Sequence, residues 1–522
     1  MSEKAKVARA AGVVGAATLI SRIMGYVRDM VMSWAFGTGI VADAFYVAYR
    51  IPNLLRELLA EGSMSAAFIP VFTETLAKGS REDARRLADA VFVRLLAILS
   101  VLTTLGIIFA PFVVKAMAWG FRSDPDKYQL TVMLTRIMFP YLLFIGLAAL
   151  AMGMLNSLRS FLAPASSPVM YNMVTIAAVL LSFGLLPEPI MGVAAGVVLG
   201  GLSQFLIQLP DLKRHGMMMR PRFQAGHPGV VKIGRLALPV FLSSAVTQIN
   251  IFISTILASF LATGSIAYLY YGMRFIHFPL GVFGVAVATA VLPTLSAQAA
   301  EGKTTEFRET LSLGLRLVFF ITFPAMAGLI ALRVPIVNLM LEHGEFDRLS
   351  TLGTAAALMY YAIGLWAFAG VRIMAQAFYS LQDTKTPVKI AATAVVINIL
   401  LSIILMGPLS HGGLALATSI SAAFNLGMLA VSLRRKIGRM DGRRIVLSLS
   451  RVVPASAAMA SIGWWISREP IWESRGALLY KAWLLSAGVC GSIVFYLLLM
   501  RLFKSEELSF LLTVARRRKG DD

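Results

Sequence analysis

Apolar stretches of about 20 residues, separated by short polar links, recur along the whole of this 522-residue chain. Because a helix needs about 20 apolar residues to cross roughly 30 Å of hydrocarbon, the pattern predicts an all-α polytopic membrane protein with about fourteen transmembrane helices. The predicted spans cover residues 10–36, 43–75, 88–114, 129–155, 161–184, 189–210, 231–261, 266–298, 309–334, 351–380, 387–407, 412–433, 446–467 and 479–502.

The second and eighth predicted spans are longer than one crossing requires. Both contain helix-breaking residues, which are Pro52, Gly62 and Pro70 in the second, and Pro279, Gly281, Gly284 and Pro293 in the eighth. Breaks in membrane helices are tolerated where the freed backbone lines a cavity or packs against protein. We therefore expect these two spans to be broken beside a cavity.

The two long spans also belong to an internal repeat. The run GTGIVADAFYVAYR, which ends at Arg50, resembles TGSIAYLYYGMR, which ends 224 positions later at Arg274. Six spans per repeat return the chain to the same side, so the pattern predicts two parallel lobes around a central cavity. The predicted division is residues 1–224 and 225–440 for the lobes, 441–505 for two additional helices, and 506–522 for a basic cytoplasmic tail.

The composition supports the membrane assignment, since 58% of the residues are hydrophobic and 14% are charged. Soluble domains contain about a quarter of charged residues. No cleavage site follows the basic N-terminus, so the first span is expected to be retained. The single cysteine, Cys490, excludes an intramolecular disulfide and a thiolate metal site.

The net charge of +21 does not indicate nucleic-acid binding, because the basic residues lie in alternate links between spans and not on a soluble domain. Basic links mark the cytoplasmic side of a membrane protein. Both termini are therefore predicted in the cytoplasm.

No motif in the sequence predicts an enzyme. The five histidines are scattered, and the chain contains neither a Walker loop before a helix nor an HExxH motif. We expect no cofactor, no metal site and no catalytic residue, and ATP-driven transport by this chain alone is not predicted.

Ionisable residues at membrane depth are the candidate functional groups. Each costs about 2.5 to 3.5 kcal/mol at the centre of a bilayer, so each should face a partner or a wet cavity. One alternative is local pairing, either of Arg28 with a carboxylate or of Arg56 with Glu61. The other is that arginines of both lobes line the cavity and bind an anion such as a diphosphate, because the guanidinium fork matches phosphate oxygens. Arg22 and Arg28 are about 240° apart around a regular helix, so a shared target needs a bend near Gly25.

Four runs, in this order, resemble the MurJ (MviN) family of bacterial lipid II flippases, within the superfamily of multidrug, oligosaccharidyl-lipid and polysaccharide exporters. They are SRIMGYVRD, DAFYVAYRIPNLLRELLAEGSMSAAFIPVF, YYGMRFIHFPLGVFGVAVATAVLP and FYSLQDTKTPVKIA. The resemblance extends along the whole chain. It implies two six-helix lobes, two C-terminal helices that form a lipid groove, and transport of the lipid II head group to the outer face of the cytoplasmic membrane by alternating access.

The resemblance also assigns residues. It implies that substrate is bound by Arg22, Arg28, Arg56, Arg274 and Ser21. Asp29, Asp43 and Glu61 fall on acidic positions of the family, and with Arg50 they are assigned to gating or ion pairing. The chain departs from the family pattern at Met273, where an acid can occur, and at Ala267, where a serine is expected. Sodium coupling is not expected, because Gln248, Asn250 and Asn398 stand where sodium-binding members carry acids.

The expected partners are lipid II and membrane lipids, with cell-wall synthesis proteins as further candidates and a monomer as the oligomeric state. Two alternatives remain at this point. One is an exporter of drugs or of another lipid-linked oligosaccharide. The other is a lipid II polymerase, for which Asp43 is the only obvious catalytic carboxylate.

Overall fold

A computed structural model describes residues 3–58, 63–221, 227–474 and 476–520. Within these ranges the regular structure is helical and contains no β-strand, which confirms the predicted all-α fold class. By packing, the chain divides into two compact units, Met1–Thr263 and Gly264–Asp522.

The α-helices described for the first unit are α1 (Glu3–Phe36), α2 (Ile40–Arg56), α3 (Ser63–Lys78), α4 (Arg81–Ile108), α5 (Ala110–Met117), α6 (Pro125–Met138), α7 (Tyr141–Ser157), α8 (Leu162–Leu185), α9 (Pro189–Leu206), α10 (Leu209–Arg214) and α11 (Pro228–Ser259). Those of the second unit are α12 (Ser265–Pro279), α13 (Val285–Ala300), α14 (Thr304–Ala331), α15 (Arg333–Leu341), α16 (Arg348–Ala362), α17 (Leu365–Ser380), α18 (Lys385–Leu409), α19 (His411–Ile437), α20 (Gly442–Ser467), α21 (Leu478–Leu502) and α22 (Glu506–Gly520).

Every predicted span overlaps at least one of these helices. By length and hydropathy alone, 10 helical segments in the described part of the chain can cross a membrane, and 11 if α16 and α17, bent by 42°, form one broken span. The eighth predicted span is continuous from Ser265 to Ala300, with a π-helical turn at Leu280–Gly284 between α12 and α13. The proline and glycine residues there widen the helix locally without ending it.

In the first unit, α8 packs along both α1 and α9, α2 packs against α6, and α11 packs against α3. Phe68 and Phe72 lie one turn apart on α3 and are fully buried in a cluster that also includes Leu87 of α4 and Leu150 of α7. The packing of α1 on α8 and of α2 on α6 positions the two helices that carry most of the candidate residues.

In the second unit, α20 packs along α14, and α21 packs along α20. Their shared core contains Phe320, Val452 and Tyr496, and the Tyr496 hydroxyl donates a hydrogen bond to the Phe320 carbonyl at 2.8 Å. The last two spans are therefore anchored to α14 by apolar packing and by a buried hydrogen bond.

Helix α11 lies within the first compact unit, where Lys232 forms a salt bridge with Glu74 of α3 at 2.6 Å. The sequence repeat begins the second lobe earlier, at residue 225. That division describes the order of the repeats and not the packing of α11, so it remains a prediction.

Candidate functional site

Arg28 lies next to its own sequence neighbour, Asp29, on α1. The Nε and Nη2 atoms of Arg28 donate to Oδ1 of Asp29 at 3.1 and 2.7 Å, and the two side chains are 12% and 4% exposed. One carboxylate oxygen thus accepts two charge-assisted hydrogen bonds from the guanidinium. The local ion pair expected as one alternative is present at this position.

A group of aromatic residues on α8 and α2 lies beside this pair. The Arg28 guanidinium lies 5.8 Å from the centre of the Tyr171 ring, a cation–π distance. The Tyr171 and Tyr49 hydroxyls are 3.2 Å apart, and the Tyr49 ring stacks on Phe45. Arg28 is therefore positioned by Tyr171 of α8 as well as by Asp29.

The structure does not direct Arg22 and Arg28 to one place. Helix α1 continues through Gly25, Arg22 is exposed and Arg28 is partly buried, as expected for residues about 240° apart. Ser21 is partly buried, and its carbonyl accepts a hydrogen bond from Asn172 of α8 at 3.2 Å. Ser21 and Arg28 therefore share contacts with α8.

Asp43 forms a buried salt bridge that the sequence did not indicate. Its Oδ2 atom lies 2.8 Å from Nζ of Lys127 on α6, and both side chains are at most 5% exposed. The Lys127 ammonium also lies 4.3 Å from the centre of the Phe121 ring. No helical spacing connects residues 84 positions apart, so no pattern in the sequence pointed to Lys127 as the partner.

Arg50 of α2 forms a hydrogen bond with a threonine of α11. Its Nη1 atom donates to Oγ1 of Thr255 at 2.8 Å, and Thr255 is fully buried. The Thr255 hydroxyl in turn donates to the Ile251 carbonyl at 2.7 Å. Arg50 therefore links α2 to α11.

Arg56, at the end of α2, lies 3.8 Å from the carboxylate of Glu57. Glu57 also accepts a hydrogen bond from Gln248 of α11 at 2.6 Å, so it connects α2 and α11 a second time. Glu57 was not among the residues predicted from the sequence, although its position beside Arg56 was a signal for an ion pair. The predicted partner of Arg56, Glu61, lies outside the described residues.

Arg274 lies on α12 of the second unit and is partly buried. Two residues before it, Gly272 packs closely on α16, where an added Cβ would come within 2.9 Å of the Ala357 Cβ. Tyr271 is fully buried and makes an edge contact with Phe346. The backbone that carries Arg274 is thus fixed by packing on its own unit.

The positions considered for sodium carry amides. The Gln248 amide donates a hydrogen bond to Glu57, and the Asn398 amide donates one to the Thr418 hydroxyl at 3.3 Å. Within the described ranges, no group of three or more His, Cys, Asp or Glu side chains is placed to hold a metal ion. In the first unit, Arg28, Arg50 and Arg56 each have an individual carboxylate or hydroxyl neighbour. The chemistry of these guanidinium groups favours an anion.

Residues 32–476 match the family model described as lipid II flippase MurJ. The chain is 38% identical over 498 residues to the probable lipid II flippase MurJ of Vibrio cholerae, covering 93% of this chain and 95% of the relative. It is 37% identical over 473 residues to the lipid II flippase MurJ of Burkholderia cenocepacia, covering 90% and 92%. A solved structure of lipid II flippase MurJ in an inward closed conformation aligns with a TM-score of 0.77 at 27% identity, covering 94% of this chain and 98% of that chain.

Proposed function

The chain belongs to the lipid II flippase MurJ family, and from this membership we propose that it moves lipid II from the inner to the outer face of the bacterial cytoplasmic membrane. The observation that carries the proposal is the continuous family match over residues 32–476. The apolar helices are those of a multi-pass membrane protein. The proposed activity is transport without catalysis and without a cofactor.

The diphosphate of lipid II is bound by Arg22, Arg28, Arg56 and Arg274, with Ser21 as a polar neighbour. The contribution of Arg22 requires α1 to bend near Gly25 during transport, because the two arginines of the straight helix point in different directions. The surroundings of Arg28 support this assignment, because a partly buried guanidinium held by Asp29 and Tyr171 forms stronger charge-assisted bonds than one in bulk water. A phosphate oxygen that approaches Arg28 exchanges with Oδ1 of Asp29. Arg28 then has two states, one in which it is paired with Asp29 and one in which it binds the substrate.

Asp29, Asp43, Glu61 and Arg50 take the gating or ion-pairing roles. The salt bridge of Asp43 with Lys127 and the hydrogen bond of Arg50 to Thr255 support such roles, since both connect different helices. The same salt bridge disfavours the polymerase alternative. A carboxylate that is 1% exposed and paired with an ammonium is poorly placed to act as a base toward a sugar hydroxyl.

Transport proceeds by alternating access of the two repeat lobes, while α20 and α21 form a groove that guides the polyprenyl tail. Large apolar side chains exposed on these two helices, such as Trp465 and Leu498, support the groove.

Both termini lie in the cytoplasm, and the protein acts as a monomer. The membrane potential drives the anionic head group outward. Two diphosphate charges moving through 100 mV release about 4.6 kcal/mol.

Reconstitution tests the function directly. Purified protein in sealed vesicles that contain lipid II should expose the head group at the opposite face, and the product should remain monomeric. Polymerised glycan would favour the polymerase. Export of a different lipid-linked oligosaccharide or of drugs, without lipid II movement, would favour the exporter alternative.

A further inference from the structure

A cavity of about 630 Å³ lies in the second unit where the first turn of α14, the end of α19 and the start of α20 meet. Its volume is typical of a small-molecule site, about 300 to 1,000 Å³. None of the residues assigned above to lipid II lines it. Five arginines do, and they are Arg308, Arg434, Arg439, Arg443 and Arg444.

The charges of this cavity are unbalanced. Its two acidic residues are Glu309 and Asp441, and Asp441 already pairs with Arg444 at 3.4 Å. The other four arginines form no salt bridge with any described residue. In the sequence, most of these arginines indicated only which links lie on the cytoplasmic side. A topology signal does not require the arginines to line one cavity.

Arg308 is positioned by a close backbone contact. Gly438 has φ +83°, and a Cβ placed on it would lie 2.8 Å from Nη2 of Arg308. The glycine therefore permits both the turn after α19 and the approach of the guanidinium. The Nε atom of Arg308 is buried and has no hydrogen-bond partner among the described residues.

Helix α20 adds its N-terminus to the same cavity. Its N-cap residue, Asp441, is in the left-handed conformation and makes no side-chain cap. The N–H groups of Gly442 and Arg443 have no backbone acceptor in the described part of the chain. Free N–H groups at a helix N-terminus attract anions, here beside several guanidinium groups.

We propose that this cavity binds the phosphate group of an anionic phospholipid. Guanidinium forks and helix N–H groups are the donors that phosphate oxygens accept from. A lipid is favoured over free phosphate because Val446 and Leu447, next to the lining residue Ile445, are 66% and 48% exposed. Acyl chains can lie against them while the head group occupies the cavity. In the proposed orientation of the chain, with both termini in the cytoplasm, this phospholipid belongs to the inner leaflet.

The test measures binding in detergent, with lipid II absent. The probes are short-chain phosphatidylglycerol, short-chain phosphatidylcholine and inorganic phosphate. The variant is Arg439→Gln with Arg443→Gln, both exposed and therefore expected to fold normally. The matched control is Arg435→Gln with Lys389→Gln, which removes two exposed positive charges of the same unit outside the cavity lining.

The wild-type and control proteins should bind phosphatidylglycerol at least about tenfold more tightly than the cavity variant does. Both should also bind phosphatidylglycerol more tightly than they bind phosphatidylcholine. Inorganic phosphate should compete only at higher concentration. If phosphate binds as tightly as the lipid, the lipid assignment is wrong. Equal binding by the cavity and control variants overturns the site itself. Because no transport is measured, this result is independent of the proposed flippase activity.

Discussion

Lys127 and Asp43 form a salt bridge of 2.8 Å in which the ammonium and the carboxylate are almost completely buried. The pair joins α6 to α2, two helices that are distant in the sequence. Removing one partner leaves an uncompensated charge, which costs about 3 to 5 kcal/mol, whereas replacing both by apolar residues is often nearly neutral.

We therefore expect Asp43→Ala to lower the free energy of unfolding by about 3 to 5 kcal/mol, and Asp43→Leu with Lys127→Met to restore most of it. Thermal unfolding in detergent measures both effects. The control is Glu82→Ala, because Glu82 and Arg86 form an exposed pair worth at most about 1 kcal/mol. A loss for Asp43→Ala no larger than that of the control would contradict the prediction. If the double variant is stable but does not transport, Asp43 also has a gating role.

Acid should weaken the attachment of the loop between α17 and α18 to the end of α19, where Lys436 forms a salt bridge with Asp383. Hydrogen bonds from Lys436 and from Thr386 hold the pKa of Asp383 well below its ordinary value. Because the folded-state pKa is depressed, the stabilisation is complete above the unfolded pKa of about 3.9 and declines as the pH falls below it. The melting-temperature difference between wild type and Asp383→Asn should stay constant from about pH 7 to 5 and shrink toward pH 3. A difference that persists unchanged at pH 3 would rule out this origin.

Lys481, in the first turn of α21, should be needed to anchor the last helix. Its Nζ atom donates to Oδ1 of Asn338 at 2.9 Å and to the Ser474 carbonyl at 2.7 Å, and the residue is 4% exposed. Lys481→Met removes both bonds and leaves a buried acceptor, so we expect a loss of about 1 to 3 kcal/mol. Limited proteolysis and thermal unfolding can measure it. The control, Lys389→Met, changes an exposed lysine and should alter neither the protease sensitivity nor the thermal unfolding. If the two variants behave equally, the contacts of Lys481 contribute nothing to stability.

The helical architecture could be predicted because each span carries its own local signal. A run of about 20 apolar residues identifies a membrane helix without knowledge of its neighbours. Proline and glycine also marked the eighth span as irregular, and a π-helical turn occurs there at Leu280–Gly284. The choice between a break and a π-turn depends on packing against other helices, which no local pattern encodes.

The contacts of the candidate site could be predicted only where partners are neighbours in the chain. The pairing of Arg28 with a carboxylate was accessible for this reason. Lys127 and Thr255, which bind Asp43 and Arg50, come from helices brought near by tertiary packing. No alternation or spacing connects them to their partners, so sequence alone could not identify these contacts.

If arginines bind the diphosphate of lipid II through their planar fork, Arg274→Lys should impair transport. Lysine keeps the positive charge but cannot form the bidentate contact. In vesicles that contain equal amounts of folded protein, we expect lipid II translocation by Arg274→Lys to fall at least about tenfold below wild type. The control, Arg435→Lys, changes an exposed arginine and should transport normally. Translocation by Arg274→Lys at the wild-type rate would show that the guanidinium fork of Arg274 is not required.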